Sequence, residues 1–174
     1  VSWIDWAIVL MAVPREVKFV MDKTIYGKWY IKWLFKMFKA IPISNASSKT
    51  TIQMIAKELD AGNMIVLFPE GNITRNGHLG EFKKGFEKVL ELTTSDVRVI
   101  PFYIRGLWES MCSRANKKFK KSKKTSSVTI SFSKLMKKEK ANIVSIKQEI
   151  IDLSTKSWQE HIKNLSPLNE TIFD

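Results

Sequence analysis

Met64-Ile65-Val66-Leu67-Phe68-Pro69-Glu70-Gly71 is an apolar run that stops abruptly at a proline, an acid and a glycine. With no polar residue alternating through it, the run reads as a short strand buried on both faces over residues 64–68. Pro69 and Gly71 end it. Upstream, Ile52, Ile55, Ala56 and Leu59 fall at i, i+3, i+4 and i+7, which is one face of a helix. Ser47 and Ser48 offer caps before that helix, and Gly62 offers a stop after it. Downstream, residues 82–92 predict a second helix with Phe82, Phe86, Val89 and Leu90 inward, followed by a strand over 97–104. Further strands are expected at 18–21, Ile41–Ile43 and 128–132, the last alternating Val128, Ile130 and Phe132. Residues 142–163 read as a terminal helix. Helices alternating with buried strands predict an α/β layered domain, and no internal repeat interrupts the pattern.

The chain has 174 residues, of which 44% are hydrophobic. That suits one globular domain with a real core. The longest apolar stretch, residues 6–14, is far short of the roughly 20 residues a membrane-spanning helix needs. No secretory pattern opens the chain. Cys112 stands alone, so no internal disulfide can form. One cysteine with the distant His78 and His161 makes no zinc site, and the expectation is no metal and no cofactor. The net charge of +12 favours polyanions: nucleic acid, anionic lipid headgroups or an acidic carrier protein. Six tryptophans and ten phenylalanines tilt the choice toward a lipid surface.

Two basic segments bear on that choice. Lys28, Lys32, Lys36 and Lys39 share one helical stripe, with large apolar residues such as Trp29, Trp33, Phe35 and Phe38 between them. A helix over residues 28–39 can lie in a membrane interface with its lysines toward the headgroups; it can equally pack into a core with one wet edge. Residues 117–127 are lysine-rich and low in apolar residues, so they read as a surface loop. The wider basic region, residues 114–140, is a solvated face that offers contacts to anionic lipid or acyl carrier protein.

The chemistry-bearing stretch is the turn after residues 64–68. In open α/β sheets ligands bind beyond the carboxyl ends of strands, and Glu70 sits there. Gly71 allows close backbone approach, and Arg75 can hold a phosphate by paired hydrogen bonds. The amides at the start of the next helix can assist an anion. The plainer alternative is a surface turn with a helix-capping acid. A nucleotide P-loop is excluded, because Phe86 stands after Gly85 where a lysine is required. His78, His161 and Cys112 read as ordinary polar or surface positions rather than a base or nucleophile.

Phe68-Pro69-Glu70-Gly71, followed by Thr74-Arg75-Asn76-Gly77 and Phe82-Lys83-Lys84-Gly85, resembles the third motif of the glycerolipid acyltransferases. That superfamily includes the lysophosphatidic acid and glycerol-3-phosphate acyltransferases. It usually has threonine then arginine after Glu-Gly; here Asn72 and Ile73 follow, so the phosphate contact falls more heavily on Arg75. The family's first motif is histidine, four residues, then aspartate. Val1-Ser2-Trp3-Ile4-Asp5 looks like that motif with its histidine expected just before Val1. Ala40-Ile41-Pro42-Ile43-Ser44 is similar to the second motif, although Asn45 follows where an arginine is usual nearby. Val99-Ile100-Pro101-Phe102-Tyr103 resembles the fourth. The tryptophan-rich start and Ala40 to Ser44 look closest to the acyltransferase domain of bifunctional 2-acylglycerophosphoethanolamine acyltransferase/acyl-carrier-protein synthetases. The expectation is thus one acyltransferase domain over 1–174, truncated at its N-terminus and part of a longer multidomain protein.

The resemblance implies a glycerol-3-phosphate acyltransferase-like fold, a central mixed sheet flanked by helices. It implies acyl transfer from acyl-CoA or acyl carrier protein, as co-substrate, to the hydroxyl of a lysophospholipid or glycerol phosphate. Asp5 becomes the catalytic aspartate that orients the histidine. Ser2, Glu70, Gly71, Asn72 and Arg75 become the acceptor-phosphate site. Taken alone, Ser2-Trp3-Ile4-Asp5 also fits a helix capping box; both roles coexist if Asp5 begins a helix and faces the site. The implied location is a membrane surface on its cytoplasmic face. A lipid-binding domain without turnover is the alternative reading. A nucleic-acid module is not favoured, because the aromatics cluster in apolar stretches and no nucleic-acid motif is present.

Overall fold

A computed structural model describes residues 5–22, 41–43, 48–71, 79–107 and 127–165. Their elements run α1 (Asp5–Ala12), β1 (Val17–Asp22), β2 (Ile41–Ile43), α2 (Ser48–Asp60), β3 (Met64–Val66), α3 (Gly85–Leu92), β4 (Arg98–Val99), β5 (Phe102–Arg105), β6 (Thr129–Phe132), β7 (Met136–Lys137), a 3₁₀ turn (Lys138–Lys140) and α4 (Ile143–Leu165). β1 is the central strand of a parallel sheet ordered β2-β1-β3. It pairs Val17 with Met64 and Phe19 with Val66 on one side, and Val20 with Ile41 on the other. β4 pairs antiparallel with β7, and β5 with β6. The described pairings are therefore mixed, as expected, and are distributed over three sheets.

Strand alternation explains the layers. Val17 and Phe19 of β1, with Val66 of β3, face α1 and bury against Val9; Phe68, Phe102, Ile104 and Ile130 close that cluster. Val20 points the other way. It joins Ile41, Ile55 of α2 and Val89 of α3, with Ile65 and Leu67 from the β3 segment packed alongside. The parallel sheet is thus apolar on both faces, and this is why residues 64–68 carry no polar alternation. A third cluster gathers Ala141, Ile146 and Ile150 against Phe82, Phe86, Leu90 and Tyr103.

Three boundaries differ from the sequence expectation. β3 ends at Val66 rather than at 68, because the chain turns at once: the Gly71 amide donates to the Phe68 carbonyl at 3.1 Å. The strand expected over 97–104 is two strands. Pro101 has no amide to donate, and the two pieces take different partners, while the Pro101 carbonyl accepts from Ser133 N at 2.8 Å. α3 starts at Gly85 rather than near Phe82, because the Lys83 amide is drawn to the Pro69 carbonyl at 2.9 Å. Residues 28–39 lie outside the described residues. No helix among the described residues is long and apolar enough to cross a membrane.

Polar contacts tie these layers at their ends. Lys18 and Glu58 form a partly buried ion pair at 2.6 Å, and Asn63 Nδ2 donates to the same carboxylate oxygen at 2.7 Å. At the start of α4 the Ser145 amide donates to Asn142 Oδ1 at 2.9 Å, and the Ile143 amide donates to Glu87 of α3 at 2.8 Å. Two otherwise orphaned helix donors are satisfied this way. Lys138 Nζ donates to the carbonyls of Thr93 and Ser95 at 2.7 and 2.9 Å, a cation at the carboxyl end of α3.

Asp60, the last residue of α2, accepts from the amides of Thr94 and Ser95 at 2.9 and 2.8 Å and from the Ser95 hydroxyl at 2.8 Å. These bonds favour the ionised form, chiefly the Ser95 amide, and hold its pKa below the ordinary aspartate value. A folded-state pKa below the unfolded one adds stability above the unfolded pKa, and that stability is lost as pH falls through the folded value. Asp60→Asn is therefore expected to melt lower than the unsubstituted chain at neutral pH. The gap should narrow as pH falls below about 4. Thermal melts of both proteins at several pH values check this; a gap independent of pH would remove the assignment.

Candidate functional site

The segment after β3 is shaped by two competing demands. Its apolar residues must stay in the sheet's two cores, and Pro69 cannot extend the ladder. The chain resolves this with a tight turn, Phe68 to Gly71, closed by the Gly71-to-Phe68 hydrogen bond. Gly71 takes φ of +61°, the left-handed region that L side chains disfavour. The turn throws Glu70 beyond the carboxyl end of the parallel sheet, the expected place for a ligand. Its Oε2 accepts from the Gly80 amide at 3.2 Å, which ties the returning chain to the turn.

Lys83 follows the same turn. Its amide is bound to Pro69, and its side chain lies across the bare Cα of Gly71: a Cβ built there would stand 2.8 Å from Nζ. The ammonium forms no ion pair among the described residues. Glycine at 71 thus serves both the left-handed backbone and the close approach of a cation.

Asp5 comes from a different element. It is the first residue of α1, where a carboxylate also suits the helix dipole, and its Oδ1 is buried. Asp5 and Glu70 both line one cavity of about 1210 Å³, larger than most small-molecule pockets. Its walls include Val9, Phe68, Phe82, Phe86 and Phe102 together with charged residues such as Arg15, Asp96 and Arg98, so the space suits a largely apolar ligand that also carries polar groups.

The structure thus brings Asp5 and Glu70 to one cavity, with Gly71 shaping the turn beside it. Ser2, Asn72 and Arg75 lie outside the described residues, as do His78 and Cys112. Lys83 lies against the turn, and Arg15, Arg98 and Arg105 line the same cavity; none of these cations was singled out from sequence. Lys83 was part of a quoted motif, but its contact with Gly71 depends on a turn twelve residues upstream. Arg105 ends a strand and carries no local motif.

A family model described as Acyltransferase matches residues 1–105, more than half of the chain. The chain belongs to the acyltransferase family. Its resemblance to glycerolipid enzymes has further support. It is 26% identical over 105 residues to the chloroplastic 1-acyl-sn-glycerol-3-phosphate acyltransferase of Arabidopsis thaliana, covering 59% of this chain and 29% of that protein. It is 25% identical over 105 residues to a chloroplastic 1-acyl-sn-glycerol-3-phosphate acyltransferase of Brassica napus, covering 59% of this chain and 30% of that protein. The acyltransferase chain therefore spans less than a third of the length of these relatives. Its fold is that of the 1-acyl-sn-glycerophosphate acyltransferase PlsC from Thermotoga maritima, with a TM-score of 0.62 over 93% of this chain and 63% of that one, at 15% identity.

Gly71→Ala is expected to destabilise the acyltransferase by about 1–2 kcal/mol through the left-handed backbone and to displace Lys83. Gly71→Asn should cost less, since asparagine tolerates this conformation better. Urea unfolding of both variants checks the order, and equal stability of all three proteins would show that the turn does not hold this shape.

Proposed function

We propose that this chain moves a fatty acyl group from a thioester, acyl-CoA or acyl carrier protein, to the free hydroxyl of a lysophospholipid or glycerol phosphate in phospholipid synthesis or remodelling. The observation that carries it is that Asp5, from the start of α1, and Glu70, from the turn after β3, both line one largely apolar cavity. An acyl chain needs the apolar walls, and the reacting hydroxyl needs a polar edge.

In this reading the base is a histidine five positions ahead of Asp5, immediately before Val1. Asp5 holds the tautomer that leaves the other ring nitrogen free and stabilises the imidazolium. The histidine takes the hydroxyl proton as the oxygen attacks the thioester carbonyl. The C–S bond then breaks, and the departing thiolate receives that proton. Ester and thiol are the products, with no net change in protons or electrons. Ser2, Glu70, Gly71, Asn72 and Arg75 hold the glycerol-phosphate end. The exact acceptor, whether lysophosphatidic acid, another lysophospholipid or glycerol 3-phosphate, follows from which phosphate this site fits. The motif likeness to bifunctional acyltransferase/synthetases favours a domain of a longer protein.

The reading also places the chain on a membrane surface at its cytoplasmic face, with Lys28, Lys32, Lys36 and Lys39 toward anionic headgroups. The net charge of +12 supports this.

Two experiments test these points. Thiol release is followed on the chain extended upstream to include the histidine, with a panel of lysophospholipids and glycerol 3-phosphate. Turnover is expected, and Glu70→Ala and Arg75→Ala should each raise KM for the phosphorylated acceptor by about tenfold, the worth of one charged hydrogen bond. Unchanged KM in both variants would remove the phosphate site. Acceptor binding without turnover would favour the non-catalytic lipid-binding domain. In the second experiment the chain should sediment with anionic vesicles, and raised salt should release it. Equal sedimentation with neutral vesicles would count against a basic membrane face.

A further inference from the structure

Arg105 ends β5 and lines the same cavity as Asp5 and Glu70, but reaches it from another element. Its Nε donates to Ser157 Oγ at 3.1 Å and its Nη2 to Thr129 Oγ1 at 3.3 Å. Its Cζ stands 5.8 Å from the centre of the Trp158 ring. Every one of these partners is neutral. Among the described residues no carboxylate pairs with this half-buried guanidinium, and two of its five N–H donors find acceptors there.

The surroundings hold the guanidinium in place. Ser157 is only 3% exposed, so its hydroxyl is a fixed acceptor on the inner face of α4. Trp158 is itself braced edge-on by His161, ring centres 5.9 Å apart. Behind Arg105 the chain turns at Gly106 with φ of +93°, and a Cβ at that position would lie 2.3 Å from the Ser127 carbonyl oxygen. Only glycine fits there, so the backbone that carries Arg105 is locked against the start of β6. Ordinarily a buried charge is paired. Here the described partners set the plane of the guanidinium without neutralising its charge. A planar fork held in that way matches a phosphate oxygen pair.

We propose that Arg105 anchors a second anion subsite of the cavity, oriented by Ser157, Thr129 and Trp158, and that this subsite takes a phosphate group. It is built from β5, β6 and α4, separately from the turn that carries Glu70. The inference rests on the acyl-transfer reading for its two candidate sources. One is the glycerol phosphate of the acceptor; the other is a phosphate of the thioester carrier, such as coenzyme A.

The test is calorimetric titration of the chain with inorganic phosphate, glycerol 3-phosphate and coenzyme A near 0.15 M salt, where diffuse attraction to a basic protein is screened. Arg105→Gln should weaken the probe that occupies the subsite by about tenfold or more. Arg105→Lys, which keeps the charge and loses the fork, should fall between. Ser157→Ala removes one orienting bond without touching the charge and should weaken the same probe several-fold. It serves as the test if Arg105→Gln does not fold. A loss confined to coenzyme A supports the subsite and assigns it to the donor. A loss confined to glycerol 3-phosphate supports it and assigns it to the acceptor, and a loss for all three supports a general phosphate site. Unchanged affinities in every variant, or no binding by the unsubstituted chain, would overturn the proposal and leave Arg105 as a strap between β5 and α4. Failure of the acyl-transfer reading looks different: no turnover by the extended chain, with Arg105-dependent binding intact.

Discussion

The two-faced burial of the β1 and β3 strands is the constraint from which the rest of the molecule follows. Val17 and Phe19 commit one face of β1 to α1, and Val20 commits the other to α2 and α3. A parallel pair covered in this way cannot expose either surface, so helices must lie on both sides and the chain must cross over between strands. The same alternation continues through Met64 to Phe68, although the strand ladder has ended by Val66. Burial therefore outlasts hydrogen bonding here, and the turn that follows is held from both faces.

The polar edge is a consequence of that arrangement. Only where the strands stop can charged groups approach the interior without entering a core. The segment after β3 supplies Glu70, the start of α1 supplies Asp5, and the end of β5 supplies Arg105. None of the three is near the others in sequence. All three line one cavity because apolar packing fixes the element ends that carry them, and much of its wall is apolar. A site of this design handles an amphiphile naturally: it separates a place for hydrocarbon from a place for charge.

Much of the fold was legible from residue spacing alone. Ile52, Ile55, Ala56 and Leu59 do form the inner side of α2, and Phe82, Phe86, Val89 and Leu90 do pack inward around α3. The differences lie in where elements break or begin. Residues 97–104 read as one strand because hydropathy is blind to which neighbour accepts each hydrogen bond; Pro101 divides them between β7 and β6. The start of α3 was set too early because the Lys83 amide is taken by a carbonyl outside the helix. Of the candidate site, Asp5 and Glu70 were legible from their motifs, and both line the cavity.

What the amino-acid order determined by itself was local: periodicity, the apolar strand, the stop at Pro69 and Gly71, and acidic residues placed at the ends of regular elements. These depend on contacts within a few residues, which the chain encodes directly. What only the tertiary structure decided was company. The crossing of Lys83 over Gly71, the pairing of Arg105 with Thr129 and Ser157, and the placing of Asp5 and Glu70 along one cavity all involve positions separated in the chain. Such meetings arise from how layers pack, and layer packing is the sum of many weak apolar contacts that no single stretch of sequence contains.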